Sequence, residues 1–198
     1  MIKFINNNNE IPYIKFREFY DIAFHKNQKS IEAVTISSYH SSKKEVDSRF
    51  VNLKIIDDKE FIFFTNYNSP KSHQFNEHNQ ISAIIFWDKI NIQIRMKAKI
   101  KKKSVSYNES YFSKRSINKN ALAISSNQSE IIDSYEMVKQ NYEKSLESDN
   151  LKKCPDYWGG YSFIPYYFEF WEGEKFRLNK RNVYEKKQDN WQHFLLQP

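Results

Sequence analysis

Apolar and polar residues alternate most regularly between residues 90 and 100. The apolar positions are Ile90, Ile92, Ile94, Met96, Ala98 and Ile100, and the polar positions between them are Asn91, Gln93, Arg95, Lys97 and Lys99. Because successive side chains of a β-strand point to opposite faces, this pattern predicts a strand with one buried and one solvated face.

Other segments carry weaker but readable patterns. Apolar residues three and four positions apart after Pro12 predict a helix over 12–27. Further helices are predicted over 70–78 after Ser69-Pro70, from the capping box Ser106-x-x-Glu109 to about Arg115, over 118–125, and from Asp133-x-x-Glu136 to about Ser148. Further strands are predicted over 31–39, 47–56, 60–66, 81–87, 161–172, 175–186 and 191–197, with a hairpin turn at 57–59.

The order of these elements indicates a mainly β fold. Short connections between neighbouring strands favour an antiparallel sheet. A sheet of seven or eight such strands must protect its edges, and closure into a barrel does so. We therefore expect one domain spanning residues 1–198, a small β-barrel with helices packed around it, which opens with the helix at 12–27 and ends with the strands in 161–197.

Charge and glycine content narrow the possible functions. The 198 residues include 31 Lys and Arg against 24 Asp and Glu, a formal net charge of +7. The 3 glycines, Gly159, Gly160 and Gly173, lie close together near the C-terminus. Because a Rossmann loop or a P-loop needs several glycines between a strand and a helix, neither is predicted. A phosphorylated ligand would have to be held largely by side chains.

Membranes, nucleic acids and metals are not predicted as partners. No apolar run approaches the ~20 residues that span a bilayer, and the N-terminus lacks the apolar core of a signal peptide. The lysines between 97 and 103 fit a solvated strand face, and the five His are scattered. Cys154 is the single cysteine. A reducing, cytoplasmic setting is therefore expected.

One segment has the character of a phosphate site. Residues 63–71 run from a strand into a predicted helix N-terminus, where backbone N–H groups and the helix dipole favour anions. Thr65, Ser69 and Lys71 add hydroxyl and ammonium donors. The alternative is an ordinary strand-to-helix turn with solvated polar groups.

The aromatic C-terminal stretch has two interpretations as well. Arg177 and Arg181 flank a predicted strand close to Trp171. Aromatic residues here could form core, or they could join the arginines in binding a planar anionic ligand.

Several short motifs follow one another in order along nearly the whole chain. They are Arg49-Phe-Val-Asn-Leu-Lys54, Phe64-Thr-Asn66, Ser69-x-Lys71, Gln93, Tyr111-Phe-x-x-Arg115, Gln128-Ser129, Trp158-Gly-Gly, Glu169-Phe-Trp171 and Arg177-Leu-x-x-Arg181. In this order they resemble the pyridoxamine 5′-phosphate oxidase family. The resemblance implies an FMN-binding split β-barrel that works as a homodimer with FMN sites at the interface.

The resemblance also implies roles for individual residues. The implied FMN contacts are Arg49, Phe50, Val51, Lys54, Phe64, Thr65, Ser69, Lys71, Gln93, Gln128, Ser129, Trp171 and Arg181. The implied substrate contacts are Lys54, Tyr111, Arg115, Lys119, Arg177 and Asn179. Arg177 is the candidate catalytic residue, which would orient the substrate and stabilise developing charge.

The chain departs from the family pattern at three informative positions. Pro70 stands where an Arg is usual, Lys119 where a Ser is expected, and Asn179 where a His is usual. An FMN-dependent oxidase of pyridoxamine or pyridoxine 5′-phosphate, using O₂ and releasing H₂O₂, is the first hypothesis. A related flavin oxidase of secondary metabolism, of the phenazine type, is the second, and a non-catalytic flavin-binding protein is the third.

Overall fold

The computed structural model describes residues 1–147 and 150–198. The strands are β1 (Lys3–Asn7), β2 (Ala33–His40), β3 (Glu45–Asn52), β4 (Ile55–Asp58), β5 (Glu60–Asn66), β6 (Gln80–Trp87), β7 (Ile92–Lys102), β8 (Trp158–Glu172), β9 (Lys180–Lys187) and β10 (Asn190–Leu196). The α-helices are α1 (Ile11–His25), α2 (Pro70–Glu77), α3 (Val105–Ser113), α4 (Ile117–Ser125) and α5 (Tyr135–Leu146). Two 3₁₀ turns, Asp88–Ile90 and Lys175–Arg177, precede β7 and β9.

All ten strands belong to one sheet in which β8 is the central element. The hydrogen-bonded order is β1-β4-β5-β8-β7-β6-β2-β3, and β9 and β10 extend from β8. Strand β8 pairs with β5 through its first residues, with β9 through its last, and with β7 along its opposite edge. Strand β3, at the far end of this order, contacts β5. The sheet therefore curls back on itself as a barrel.

Helix α1 seals the apolar interior of this barrel. Its inner face packs through Tyr13, Phe16 and Tyr20, with Phe16 lying 5.1 Å from Phe61 and 5.6 Å from Trp87 between ring centroids. These three residues are at most 5% exposed. The apolar residues predicted to form one face of this helix are thus the ones that pack into the core. The helix begins at Ile11 and ends at His25, whereas the sequence predicted 12 and 27.

The predicted strand over 47–56 is wrong, because two strands occupy it. Strand β3 pairs with β2, whereas β4 forms the hairpin with β5. Between them the backbone N–H of Leu53 donates to Glu32, and that of Lys54 donates to Ile62. The chain changes neighbours here, a change that an alternating pattern does not reveal. Strand β4 also pairs with β1, an unpredicted strand, in parallel orientation. All other ladders are antiparallel.

Two predicted helix starts are displaced. The hydroxyl of Ser104, not Ser106, accepts the N-terminal hydrogen bond of α3, from Tyr107 N–H at 3.3 Å. The hydroxyl of Ser134, not Asp133, caps α5. Several hydroxyl and carboxylate groups near each start could serve, and packing selects among them. The predicted end of the latter helix, Ser148, lies outside the described residues.

The segment predicted as a strand from 175 begins later than expected. Strand β9 starts at Lys180, and the preceding turn holds Phe176 and Arg177 at φ 56° and 62°. Left-handed backbone at two successive non-glycine residues is costly. Arg177 therefore lies on a strained turn instead of a strand.

No α-helix within residues 1–147 and 150–198 is both long and apolar enough to cross a membrane.

At Gly159 of β8, glycine is required by the close approach of other side chains and not by an unusual backbone dihedral angle. A Cβ atom on Gly159 would overlap the Tyr67 hydroxyl and the Asn108 amide. Both side chains are hydrogen-bonded to the next residue of the strand. Tyr67 donates to the Gly160 carbonyl at 3.0 Å, and Asn108 accepts from the Gly160 N–H at 2.9 Å.

We expect Gly159→Ala to lower the free energy of unfolding by about 1–3 kcal/mol, since the added methyl group must displace the hydrogen-bonded side chains of Tyr67 and Asn108. Ser162→Ala on the same strand is the matched control. The Ser162 hydroxyl is buried and forms no hydrogen bond with any described residue, so its removal is expected to be neutral or stabilising. Chemical denaturation measures both, and equal stability of the two variants would contradict this account.

Candidate functional site

A cavity of about 1020 Å³ opens where the β3–β4 crossover, β5, α2 and α3 meet. Its lining includes ten of the residues proposed from sequence as ligand contacts. They are Phe50, Val51, Lys54, Phe64, Thr65, Lys71, Tyr111, Arg115, Lys119 and Gln128. These positions are widely separated in sequence, and the barrel brings them to one place.

Lys71 lies at one end of this cavity and is only 7% exposed. Its ammonium donates to the hydroxyls of Thr65 at 3.1 Å and Ser69 at 3.0 Å. Among the described residues, no carboxylate forms an ion pair with it. Burial, and to a smaller extent the positive charge of Arg49, lower the pKa of Lys71 to about 8, whereas the charge of Asp47 opposes this shift. A buried ammonium without a counter-ion has the chemistry of an anion-binding group.

The hydroxyls around Lys71 are themselves held in place. Thr65 donates to the side-chain carbonyl of Gln128 at 3.1 Å, and the same oxygen accepts from Asn66 N–H at 3.3 Å. Ser69 is fully buried and donates to the Asn66 carbonyl at 2.7 Å. The sequence predicted that the Ser69 hydroxyl would cap α2, and this prediction is wrong because the hydroxyl is used elsewhere.

Arg49 lies behind this end of the cavity and does not line it. Its guanidinium donates to the Ser38 hydroxyl at 2.6 Å and to the Gln74 side-chain carbonyl at 2.8 Å, and it forms an ion pair with Asp47. Ser38 and Gln74 are 3% and 2% exposed. Neither residue was predicted from the sequence, although Gln74 lies three residues after Lys71 and hence close to it on the α2 surface.

The opposite wall combines stacked aromatic rings with cations. Phe64 stacks on Tyr111 with ring centroids 3.6 Å apart and on Trp158 at 5.2 Å. The guanidinium of Arg115 lies 4.4 Å above the Trp158 ring. Its Nη1 atom is buried, and no hydrogen-bond partner for it exists within residues 1–147 and 150–198. A donor left unpaired beside a cavity is available to a ligand.

Lys54 on this wall lies near two other cations. Burial lowers the pKa of Lys54, and the charges of Lys119 and Arg115 lower it further, whereas Glu32 raises it. Glu32 also forms an ion pair with the N-terminal ammonium at 3.3 Å. Neither Glu32 nor the N-terminal strand was predicted to belong to the site, since only the unpredicted β1–β4 pairing brings that strand here. Excess positive charge remains, and it favours an anionic ligand.

The remaining predicted residues lie elsewhere. Gln93, Trp171 and Arg181 occupy paired positions on β7, β8 and β9 and share the outer face of the sheet. Arg177 and Asn179 lie in the turn before β9, where Asn179 accepts a hydrogen bond from the Glu174 N–H at 3.1 Å. Ser129 is exposed beside Gln128 with φ 74°. None of these six residues lines the cavity of its own chain.

Comparisons with known proteins agree with this architecture. Residues 158–198 match a family profile described as the pyridoxine 5′-phosphate oxidase C-terminal dimerisation region. A pyridoxine/pyridoxamine 5′-phosphate oxidase of Hydrogenovibrio crunogenus is 31% identical over 94% of this chain and 88% of its own.

Two solved structures share the fold. PhzG of Burkholderia lata, in complex with tetrahydrophenazine-1-carboxylic acid, superposes with a TM-score of 0.89 at 24% identity, covering 94% of this chain and 92% of its own. A pyridoxamine 5′-phosphate oxidase-related, FMN-binding protein of Nostoc punctiforme gives a TM-score of 0.76 at 12% identity, covering 92% and 97%.

The fold is therefore the split β-barrel with outer helices that the sequence predicted, and the protein is an oxidoreductase. The chain belongs to the pyridoxine/pyridoxamine 5′-phosphate oxidase family.

We expect Lys71→Met to stabilise the protein without ligand by on the order of 1 kcal/mol at pH 7, because it removes a buried, uncompensated charge. The gain should shrink as the pH rises from about 8 towards 10.5, the limits set by the folded and ordinary pKa values of Lys71. In that range the unfolded wild-type chain binds more protons than the folded one, so wild-type stability rises.

Thermal unfolding from pH 7 to 10 measures this difference. The control is Lys99→Met, which removes an exposed ammonium from β7. A stabilisation by Lys71→Met that does not change with pH would contradict the assignment of a buried charged lysine.

Proposed function

We propose that this protein is an FMN-dependent oxidase that converts pyridoxamine or pyridoxine 5′-phosphate to pyridoxal 5′-phosphate, with O₂ reduced to H₂O₂. The observation that carries the proposal is the buried Lys71 ammonium, paired only with hydroxyls, at one end of a cavity with further cations at its other wall. Membership of the oxidase family supports the same conclusion.

The donor set at Lys71 fits the phosphate group of FMN. Phosphate monoesters carry a charge of about −1.5 to −2 at neutral pH and three acceptor oxygens. Lys71 provides an ammonium donor in the first turn of α2, whose dipole also favours anions, and the Thr65 hydroxyl lies beside it in the cavity wall. Arg49 adds a positive charge behind the cavity, although Asp47 forms an ion pair with it.

FMN, when bound, would supply the hydride-accepting ring and its reoxidation by O₂. The protein's own residues would bind and orient. The stacked rings of Phe64, Tyr111 and Trp158 would provide an apolar wall beside the bound ligands. Lys54, Arg115 and Lys119 would hold the substrate phosphate on that wall, since two phosphates in one cavity need two separate groups of cations.

The residues outside the cavity support a homodimer in this proposal. Gln93, Trp171, Arg181 and Arg177 can contribute to a flavin site only if they come from a second copy of the chain. The segment 158–198 matches a dimerisation region and exposes large apolar side chains, including Phe176 at 91% and Leu195 at 70%. In the dimer, Arg177 would orient the substrate and stabilise charge that develops during oxidation.

The second candidate is a flavin oxidase with a different anionic substrate. The departures at Lys119 and Asn179 favour it, because Lys119 adds a cation to the substrate wall and Asn179 cannot titrate near neutral pH. The fold neighbour PhzG was solved with a carboxylic acid that has no phosphate.

The test is to purify the protein, titrate it with FMN, and assay both vitamers for pyridoxal 5′-phosphate and H₂O₂. We expect a yellow protein, both products and a dimer in solution. A colourless protein that takes up no FMN would overturn both oxidase proposals. Bound FMN without turnover of either vitamer would reject the first candidate and leave the second.

We expect Arg115→Gln to raise KM for pyridoxamine 5′-phosphate at least ~10-fold with a smaller change in kcat. A charge-assisted hydrogen bond contributes ~1.5–3 kcal/mol, and ~1.4 kcal/mol corresponds to a factor of ten. Steady-state H₂O₂ production measures both constants. Arg17→Gln, on α1 and outside the cavity, is the control and should behave as the wild type. An unchanged KM for Arg115→Gln would exclude this residue from substrate binding.

A further inference from the structure

Glu169 is a buried carboxylate on the outer, polar face of the sheet. It lies on β8 between β7 and β9 and is 1% exposed, although Arg95 and Arg181 on either side are partly exposed. The other face of the same strand holds Phe168 and Phe170 in the core. Glu169 therefore contributes nothing to the apolar core, and its burial needs another explanation.

Both oxygens of Glu169 are occupied. One accepts from Arg181 Nε at 2.8 Å and lies 2.7 Å from Arg181 Nη2. The other accepts from Arg95 Nη1 at 2.8 Å and from the Tyr167 hydroxyl at 3.0 Å. A carboxylate withdrawn from water is tolerated only when it is paired and hydrogen-bonded in this way.

These hydrogen bonds restrict the orientation of Arg181 more than that of Arg95. Its Nη1 also donates to the backbone carbonyl of Gln197 at 3.0 Å, so bonds on two sides fix the plane of the guanidinium. Arg181 lies directly opposite Trp171 in the β8–β9 ladder, and Gln93 lies opposite Trp171 in the β7–β8 ladder. The carboxylate thus orients one member of a three-residue row that the proposed function assigns to the flavin.

An ordinary surface ion pair does not account for this arrangement. Exposed pairs contribute little and leave their side chains mobile. Glu60 shows the alternative on the same sheet, since it pairs with Lys101 at 2.9 Å and with Lys103 while remaining 20% exposed in its side chain. Glu169 differs in its complete burial and in binding a guanidinium through two of its nitrogens.

We propose that Glu169 is a positioning residue, which holds Arg181 in the orientation that binds FMN without itself contacting the flavin. The inference rests on the proposed function and adds a residue to its site. Because the guanidinium is oriented before the ligand arrives, less freedom is lost on binding.

A double-mutant cycle tests the proposal with FMN affinity as the readout, measured by quenching of flavin fluorescence. Glu169→Gln keeps the side chain's shape but removes the charge and places an amide beside the arginines. We expect Glu169→Gln and Arg181→Met each to raise the Kd for FMN at least 10-fold. In the Arg181→Met background, Glu169→Gln should have little further effect, since it acts through that residue.

Glu60→Gln is the matched control and should leave the Kd for FMN unchanged. If Glu169→Gln does not fold, Glu169→Asp keeps the charge but is too short to reach both arginines, and an intermediate Kd is expected. If the two substitutions weakened FMN affinity additively, Glu169 would not act through Arg181, and the proposed role would be wrong. The same holds if neither single variant lost FMN affinity. Either result would overturn the role of Glu169 and leave the proposed function standing. A wild-type protein that binds no FMN would instead overturn the proposed function, and this inference with it.

Discussion

The hydrogen bonding of β8 to three other strands is the constraint on which the rest of the structure depends. The first residues of β8, including Gly159 and Gly160, pair with β5, and Trp158 at the start of the strand lines the cavity. Its last residues pair with β9 and carry Glu169 and Trp171 on the outer face. One continuous strand therefore connects the two groups of polar residues, and its pairing with β7 holds them at a constant separation.

The two groups treat buried charge in opposite ways. At Glu169 each carboxylate oxygen has a cationic partner, so the charge is neutralised within the chain. Among the described residues the Lys71 ammonium has only hydroxyl partners, and burial together with the charge of Arg49 lowers its pKa to about 8. The first arrangement orients side chains, and the second remains electrostatically incomplete until an anion binds. This contrast separates residues that shape the site from residues that bind in it.

Sequence reasoning succeeded where the physical signal was local. The alternation matches the faces of β7 from Ile92 onward, although Ile90 lies in the preceding 3₁₀ turn and the strand continues to Lys102. The spacing of Tyr13, Phe16 and Tyr20 matches the buried side of α1. It failed where partners had to be chosen over long distances. The break between β3 and β4 depends on hydrogen bonds to Glu32 and Ile62, and the N-terminal strand depends on a parallel ladder with β4.

The sequence by itself determined the types of residue available for the site, the faces of its most regular elements, and the family resemblance. Those properties depend on spacing of two to four residues or on motif order, both of which can be read along the chain. Only the tertiary structure decided that no carboxylate of the described residues pairs with Lys71, whereas two arginines pair with Glu169. It also decided that Arg177 lies on a strained turn away from the cavity. Each of these depends on how strands far apart in sequence are paired, and short-range periodicity carries no information about that pairing.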